Sequence, residues 1–232
     1  MPQNNSDQSE TKKIKVIITG ATGMVGEGVL NECLLDKRVE EVLVLTRRSC
    51  NVVHPKLNEI ICSDFFDISG IENNLSGYDA CFFCLGVSSV GRSEEDYYKV
   101  TYTLTLNIAE TLCRLNPEMT FCYVSGAGTY SSQKGRYMWA RVKGKTENDL
   151  MKLPFKSVFA FRPAFIFADK KAKNVKTFYK YLRWVYPVGL VFFPDFVCSL
   201  NQIGKAMINS VYYNAERKVL EVKDIKALAQ KF

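Results

Sequence analysis

Two patterns of apolar and polar residues alternate along the chain. Short runs rich in β-branched and aromatic residues predict buried strands, and stretches with apolar residues every three or four positions predict amphipathic helices. The predicted strands are 14–19, 41–45, 59–63, 80–85, 119–124, 158–162 and 218–222. The predicted helices are 27–35, 94–115, a helix that contains 137–147, 199–208 and 224–229. This alternation is typical of an α/β fold built from βαβ units around a mostly parallel sheet.

The turn after the first predicted strand carries three glycines at intervals of three, Gly20, Gly23 and Gly26. Gly20 allows a sharp turn, Gly23 lets a pyrophosphate approach the backbone, and Gly26 permits close packing of the helix against the strand. The N–H groups at the start of the following helix favour an anion. The stretch therefore predicts a dinucleotide site, with contacts from Gly20, Thr22, Gly23, Met24 and Val25.

The glycine stretch, which reads TGATGMVG over residues 19–26, resembles the opening motif T-G-A-T-G-x-x-G of the short-chain dehydrogenase/reductase superfamily. The likeness is to the extended and atypical branches, and it continues through much of residues 13–168. Within them the chain looks most like small epimerase/dehydratase-like proteins, which are called nucleoside-diphosphate-sugar epimerases. The resemblance implies a Rossmann-type, doubly wound fold with about seven strands and a small C-terminal helical lobe.

The end of the second predicted strand bears on which dinucleotide is bound. NAD-selective folds usually place an acidic residue there, about 20 residues after the glycines, to bond the ribose 2′-hydroxyl. Here Arg47 and Arg48 follow the strand, with no carboxylate beside them. A guanidinium can pair with a phosphate through two hydrogen bonds, so the sequence favours NADP over NAD. Two exposed arginines in a loop are also common without a ligand.

The resemblance assigns further cofactor contacts at the ends of later strands. Asp64 and Phe65 correspond to the pair that holds the adenine ring. Leu85 and Gly86 stand where the superfamily passes backbone along the central ribose and the pyrophosphate. Pro163, in an Arg-Pro pair, precedes the backbone that passes the nicotinamide amide.

The superfamily's chemistry uses a tyrosine and a lysine four residues later, which lie on one helix face. The lysine bonds the nicotinamide ribose and lowers the tyrosine pKa, and a serine after the fifth strand holds the substrate oxygen. By this resemblance Lys143 is the ribose lysine and Ser125 is the serine. The tyrosine position holds Trp139, whose indole N–H donates a hydrogen bond but does not exchange its proton near neutral pH.

Three interpretations of this site stay open. Tyr137 could replace the missing tyrosine, but two residues turn a helix by about 200°, which points it away from Lys143 unless the helix starts late. Tyr137 and Arg141 could form the pair in a shifted register. The site could also bind NADP without the usual hydride transfer, which we rank narrowly first. The corresponding functions are an NADPH-dependent oxidoreductase acting on a small carbonyl or aromatic substrate, and a non-catalytic dinucleotide-binding regulatory or scaffold protein.

Length and composition suit one α/β domain. The chain has 232 residues, of which 47% are hydrophobic and 24% charged. We expect residues 1–12 to be a disordered polar tail, without the layout of a signal peptide, and 13–232 to form the domain. A reduced substrate lobe within about 164–232 is shorter than that of sugar-nucleotide epimerases, which favours a small, unidentified substrate or a protein partner. No apolar run reaches membrane-spanning length.

Charge and cysteine usage bear on partners and compartment. The net charge is +7, and six basic residues between Lys170 and Arg183 are opposed only by Asp169. We interpret them as a solvated helix face, so nucleic acid is not expected, and a homodimer or a protein partner stays open. The eight scattered cysteines predict reduced thiols and a cytoplasmic location. The single histidine, His54, excludes a two-histidine metal site, and no metal is predicted.

Overall fold

A parallel sheet forms the centre of the structure, a computed structural model that describes residues 12–167, 194–213 and 215–231. Its strands are β1 (Ile14–Thr19), β2 (Val39–Thr46), β3 (Leu57–Ile61), β4 (Ala80–Phe83), β5 (Thr120–Val124) and β6 (Ser157–Arg162). Two further strands, β7 (Phe165–Phe167) and β8 (Val197–Ser199), pair separately, and β9 (Val219–Glu221) returns to the main sheet. The seven strands of that sheet are ordered β3-β2-β1-β4-β5-β6-β9, and every pairing is parallel. The predicted Rossmann-type fold is confirmed.

The described helices are α1 (Met24–Leu35), α2 (Glu94–Tyr98), α3 (Leu104–Leu115), α4 (Met138–Leu150), α5 (Leu200–Tyr212) and α6 (Val222–Ala229). A π turn at Lys99–Thr103 joins α2 to α3, so the helix predicted over 94–115 is present with one wider turn inside it. Helix α4 begins at Met138, one residue after Tyr137. This late start matters for the candidate site.

Two hydrophobic cores lie on opposite faces of the sheet. Along β1, Val16 and Ile18 belong to one core, and Ile17 between them belongs to the other. The first core also takes residues from α1, α5 and α6, and the second takes residues from α3 and α4. Because strand side chains alternate between faces, a strand that is covered by helices on both sides is apolar at nearly every position. This is why the strands could be found from short apolar runs.

The described C-terminal elements complete the sheet and one helix layer. Strand β9 pairs with β6 at the sheet edge, and α5 packs closely on α1. Glycines make that close approach possible: a Cβ at Gly28 would stand 2.7 Å from the Cβ of Leu200, and one at Gly204 would stand 2.7 Å from the Cβ of Glu32. The basic stretch 170–183 lies outside the described residues, together with the rest of 168–193 in the predicted lobe.

We expect Gly28→Ala to destabilise the fold, because the added methyl group would force α1 and α5 apart. Overpacking of this kind costs about 1–3 kcal/mol. Gly70→Ala is the matched control, since no atom lies within 4 Å of a Cβ at that position. Denaturant unfolding measures both variants, and a Gly28→Ala protein as stable as the Gly70→Ala protein would contradict the packing described.

Candidate functional site

The candidate site lies along one edge of the sheet. Strands β1, β4 and β5 are parallel neighbours, so their carboxyl ends lie side by side. The predicted contacts Gly20, Leu85, Gly86 and Ser125 follow these strands directly. Open α/β sheets bind ligands at this edge, where the strand order turns back on itself.

The glycine turn after β1 has geometry that only glycine fits. Gly20 has a φ of +71°, and a Cβ there would stand 2.7 Å from the amide nitrogen of Leu85. A Cβ at Gly26 would overlap the carbonyl oxygen of Gly20, which itself accepts a hydrogen bond of 2.9 Å from the Gly23 N–H. The first turn of α1 is therefore held tightly against the end of β1.

The space around this turn suits an anion. Helix α1 begins after Gly23, and no side chain caps its first N–H groups with a hydrogen bond. At Gly86 no atom lies within 4 Å of a Cβ, so the backbone after β4 borders open space. The Thr19 hydroxyl accepts a hydrogen bond of 3.3 Å from the Leu85 N–H and fixes the two strand ends relative to each other. An uncapped helix N-terminus beside open space is what a pyrophosphate requires.

Arg47 and Arg48 are exposed in the loop that follows β2. The Thr46 hydroxyl donates a hydrogen bond of 2.6 Å to the carbonyl oxygen of Arg48, and Glu59 accepts one of 2.8 Å from the Cys50 N–H. Hydrogen bonds therefore hold the loop on both sides of the two arginines. Among the described residues, neither guanidinium makes an ion pair.

Asp64 and Phe65, which the resemblance assigns to the adenine ring, differ in accessibility. Asp64 is exposed, and its carboxylate accepts a hydrogen bond of 2.8 Å from the Phe66 N–H. Phe65 is 4% exposed and belongs to the second core. The Phe65 ring is therefore used in packing, and this part of the chain offers an adenine ring the Asp64 carboxylate and the backbone.

Ser125 lies in a hydrogen-bonded loop directly after β5 and is 7% exposed. Its hydroxyl is 3.1 Å from that of Thr129, which donates its proton to the carbonyl oxygen of Gly126. Because a hydroxyl has one proton, Ser125 is the donor to Thr129 and keeps its lone pairs free. The Ala127 N–H donates to the carbonyl oxygen of Pro163, at 3.0 Å, which brings the Arg-Pro segment beside the same loop.

Lys143 points from α4 to the end of β5. Its Nζ donates a hydrogen bond of 3.1 Å to the carbonyl oxygen of Val124 and stands 5.2 Å from the centre of the Tyr123 ring. Burial lowers the pKa of Lys143 to about 8, although the nearby Glu147 carboxylate acts in the opposite direction. A lysine in this position can donate to a ligand at the strand ends.

Trp139 lies in the first turn of α4, four residues before Lys143. Its ring packs on the loop after β5, where Cβ atoms at Gly126 and Gly128 would stand 3.9 and 3.7 Å from ring carbons. Two glycines thus make room for an indole beside Ser125.

Tyr137 precedes α4 and has an extended backbone, with φ −88° and ψ 119°. It is 54% exposed. The helical rotation that would point it away from Lys143 does not apply, because the helix starts after it. Tyr137 as a replacement acid therefore stays open.

Arg141 does not support the shifted Tyr137–Arg141 pair. Its guanidinium donates to the carbonyl oxygens of Gly135 and Arg136, at 2.7 and 3.2 Å, and forms an ion pair of 2.7 Å with Glu94. These contacts tie the preceding loop and α2 to α4. The side chain has a structural role.

Sequence reasoning missed an ion pair behind the site. Arg162, at the end of β6, is 8% exposed, and Glu147 in α4 is 1% exposed. The Nε of Arg162 donates to Glu147 at 3.0 Å, and its Nη2 donates to the second carboxylate oxygen of Glu147. A signal existed: Arg162 is a charged residue that ends a strand predicted to be buried, and Glu147 carries the opposite charge.

Other kinds of site are not found in the described parts of the chain. Those parts hold no cluster of three or more histidine, cysteine, aspartate or glutamate side chains suited to a metal ion. All eight cysteines are free thiols. No described helix has the length and apolar character needed to cross a membrane.

A sequence profile described as the NAD dependent epimerase/dehydratase family matches residues 16–160. The chain belongs to this family. The match spans β1 to β6 and so includes the glycine turn, Ser125, Trp139 and Lys143.

Curated relatives of this epimerase/dehydratase chain are distant in sequence. Protein FMP52, mitochondrial, of Meyerozyma guilliermondii is 24% identical over 165 residues, which cover 69% of this chain and 68% of that protein. Protein HTATIP2 of Rattus norvegicus is 25% identical over 158 residues, which cover 67% of this chain and 64% of that protein. Each of these similarities spans about two thirds of the chain.

Solved structures agree on the fold of this epimerase/dehydratase family member. ADP-L-glycero-D-manno-heptose-6-epimerase of Helicobacter pylori has a TM-score of 0.67 at 16% identity, covering 97% of this chain and 84% of that chain. The enzyme WbmG of Bordetella bronchiseptica, solved in complex with NAD, has a TM-score of 0.68 at 11% identity and covers 96% and 79%. At these identities the likeness shows the fold alone.

The expected cytoplasmic location is wrong, because the relatives include several proteins named as mitochondrial. These include FMP52 of Meyerozyma guilliermondii and FMP52 of Saccharomyces cerevisiae, the latter 26% identical over 156 residues. The expectation rested on free cysteines, and free thiols indicate only a reducing compartment. They do not distinguish the cytosol from another reducing compartment.

The Lys143 pKa predicts a pH-dependent stability. Between about pH 8, where folded Lys143 titrates, and its ordinary value of 10.5, the unfolded chain binds more protons, so stability contributed by this group rises with pH. Lys143→Met removes the cost of burying the charge. At pH 7 it should be more stable than the parent by on the order of 2 kcal/mol, and this difference should shrink as the pH rises through that range.

Lys145→Met is the control on the same helix. Lys145 forms an ion pair of 2.8 Å with Asp149, which raises the pKa of Lys145, so its removal should not stabilise the fold at pH 7. Denaturant unfolding at pH 7 to 10 compares the three proteins. A Lys143→Met protein that is less stable than the parent by the same amount at every pH would contradict the prediction.

Proposed function

We propose that this protein binds NADP(H) in a short-chain dehydrogenase/reductase-like site in which Trp139 occupies the position of the usual tyrosine. The observation that carries the proposal is the arrangement at one sheet edge: an uncapped glycine turn after β1, open backbone at Gly86, and Lys143 at the end of β5. These are the groups that a dinucleotide needs along its length. WbmG, which shares the fold, was solved with NAD.

The residues fit the dinucleotide part by part. The N–H groups of Met24 and Val25 would receive the pyrophosphate at the uncapped start of α1, where Gly23 presents no side chain. Lys143 would donate to the nicotinamide ribose, and the backbone after Pro163 would pass the nicotinamide amide. When bound, the nicotinamide ring supplies or accepts a hydride.

The preference for NADP rests on Arg47 and Arg48. They stand directly after β2, the neighbour of β1, where a 2′-phosphate would lie. Their guanidinium groups have no ion-pair partner among the described residues, and no carboxylate precedes them in the loop to repel a phosphate. Each could pair with phosphate oxygens through two hydrogen bonds.

Arg47→Ala with Arg48→Ala should weaken NADPH binding and leave NADH binding unchanged. We expect micromolar NADPH affinity for the parent and a loss of at least about tenfold in the variant, since each charge-assisted hydrogen bond contributes roughly 1.5–3 kcal/mol. Isothermal titration calorimetry measures both cofactors.

Arg114→Ala with Arg217→Ala is the matched control, because it removes the same charge from two exposed arginines of other elements. That control should bind NADPH like the parent. Equal weakening of NADPH and NADH in the Arg47 and Arg48 variant would contradict recognition of the 2′-phosphate. Binding of neither cofactor to the parent would remove the proposed function.

Trp139 argues against the usual tyrosine-driven hydride transfer. Its indole cannot exchange a proton near neutral pH, and its ring packs on Gly126 and Gly128. In this proposal the site retains the binding half of the superfamily's chemistry, with Lys143 and the glycine turn. The protein then acts as a dinucleotide-binding regulatory or scaffold protein.

A second candidate function is NADPH-dependent reduction of a small carbonyl or aromatic substrate. It is favoured by Tyr137, which lies outside α4, is 54% exposed and is free of the helical rotation that would turn it from Lys143. Ser125, once its hydroxyl turns from Thr129, would donate to the substrate oxygen, Tyr137 would donate the proton, and Lys143 would hold the ribose.

Two substitutions separate these functions. If Tyr137 is the acid, the parent oxidises NADPH with a small carbonyl substrate and Tyr137→Phe lowers kcat by at least about a hundredfold. If the site only binds, the parent shows no turnover, and Trp139→Tyr, which restores a tyrosine four residues before Lys143, gains it. Trp139→Phe is the control for the loss of the indole. Parent turnover that survives Tyr137→Phe would contradict both assignments.

A further inference from the structure

Arg162 joins four parts of the chain that surround the site. Its guanidinium binds both carboxylate oxygens of Glu147 in α4. It also donates to Ser131 Oγ in the loop before α4, at 2.6 Å, and to Glu221 Oε1 at 3.2 Å, where Glu221 ends β9 and caps α6. Arg162 itself ends β6 and precedes Pro163. One side chain therefore connects a strand, a loop and two helices.

The ion pair contributes little net free energy to the attachment of α4. Burying two charges costs as much solvation as the pair regains, so apolar side chains of the same volume would hold α4 at least as firmly. The two hydrogen bonds from the guanidinium add a defined geometry, because they fix both the rotation and the axial position of α4. Glu147 is one turn from Lys143, so a fixed Glu147 fixes where Lys143 emerges.

Charge links the two residues as well. The groups that face the Lys143 ammonium are Glu147 on its own helix and the Tyr123 ring from β5, and Tyr97 of α2 lies near Tyr123. Burial raises the pKa of both phenols, so they stay neutral. Glu147 is thus the charged group that favours protonated Lys143, and Arg162 holds that carboxylate in place.

We propose that the buried Glu147–Arg162 ion pair is a positioning pair for Lys143: it sets the register of α4 against the end of β6 and keeps the Lys143 ammonium charged for a ligand. Neither residue touches the cofactor in this proposal. The ligand part of it rests on the proposed NADP(H) function. The effect on Lys143 itself does not.

The test measures Lys143 directly in the cofactor-free protein. Acetic anhydride labels uncharged amines, and mass spectrometry of the labelled peptides gives the pH at which each lysine is half reactive. In the parent, Lys143 should have its midpoint near pH 8. Lys15 in β1, whose pKa is raised by its hydrogen bond and ion pair with Glu41, serves as the internal reference with a higher midpoint.

Glu147→Gln should move the Lys143 midpoint to lower pH, because the charge that favours the ammonium is gone. This direction is diagnostic. Loosened packing alone would admit water and move the midpoint up toward the ordinary 10.5. Asp149→Asn, the same kind of change two residues further along α4 in a carboxylate that pairs with Lys145 and Lys152, should leave the midpoint unchanged. A Glu147→Gln midpoint that is equal to the parent's or higher overturns the proposal.

Glu147→Asp covers the case in which Glu147→Gln does not fold. It keeps the charge but withdraws it by one methylene, so the midpoint should fall in the same direction by a smaller amount.

Calorimetry then tests the ligand part of the proposal. Glu147→Asp should bind NADPH roughly tenfold more weakly than the parent, and Asp149→Asn should bind it like the parent. If the parent binds no dinucleotide, the proposed function is wrong, and the Lys143 midpoints still show whether the Glu147–Arg162 pair acts on Lys143. If the parent binds NADPH and Glu147→Asp has the same Lys143 midpoint and the same affinity, the positioning role of the pair is wrong and the proposed function stands.

Discussion

The close contact between the turn after β1 and its surroundings is the constraint on which the rest of the structure depends. Gly26 stands against the carbonyl oxygen of Gly20, and Gly20 against the backbone after β4, at distances that leave no room for a Cβ. Because β1 is in the middle of the sheet, this contact sets the direction of α1 and the spacing of the strand ends. Gly28 then lets α5 pack on α1, so one glycine-rich segment determines both the anion-binding turn and a helix layer.

Sequence patterns predicted the strands and helices whose apolar residues recur regularly, and they missed elements without such a regular pattern. All seven strands of the main sheet were predicted. The inner strands are apolar runs with side chains on two buried faces, and the edge strands β3 and β9 are less buried but still carry apolar residues. Strands β7 and β8, which have three residues each and pair only with each other, were not predicted. The π turn at Lys99–Thr103 was invisible because helical periodicity continues on both sides of it. The last helix was predicted over 224–229, and it begins two residues earlier, with Glu221 as its N-cap in a capping box with Asp224.

Site residues divide in a similar way. The glycine turn and Lys143 were found because their motifs are local in sequence. The Glu147–Arg162 pair spans a helix end, a loop and a strand, and only the folded chain brings it together. Phe65 is an example in which a motif does not predict the position of a side chain. The resemblance assigns it to the adenine ring, but its ring is buried in the second core. Local motifs thus predict where the backbone turns better than they predict what a side chain contacts.

Trp139 and Lys143 together define what the site is suited to do. Lysine burial lowers the pKa of Lys143 to about 8, which by itself weakens the fold at neutral pH. Its hydrogen bond to the Val124 carbonyl oxygen could be replaced by an apolar contact at lower cost. A buried ammonium at the ligand edge of the sheet is understandable if an anionic or hydroxyl-bearing ligand completes its environment. Since the indole beside it cannot exchange protons, this pair of residues fits binding before it fits proton transfer, and Tyr137 is the side chain on which catalysis would depend.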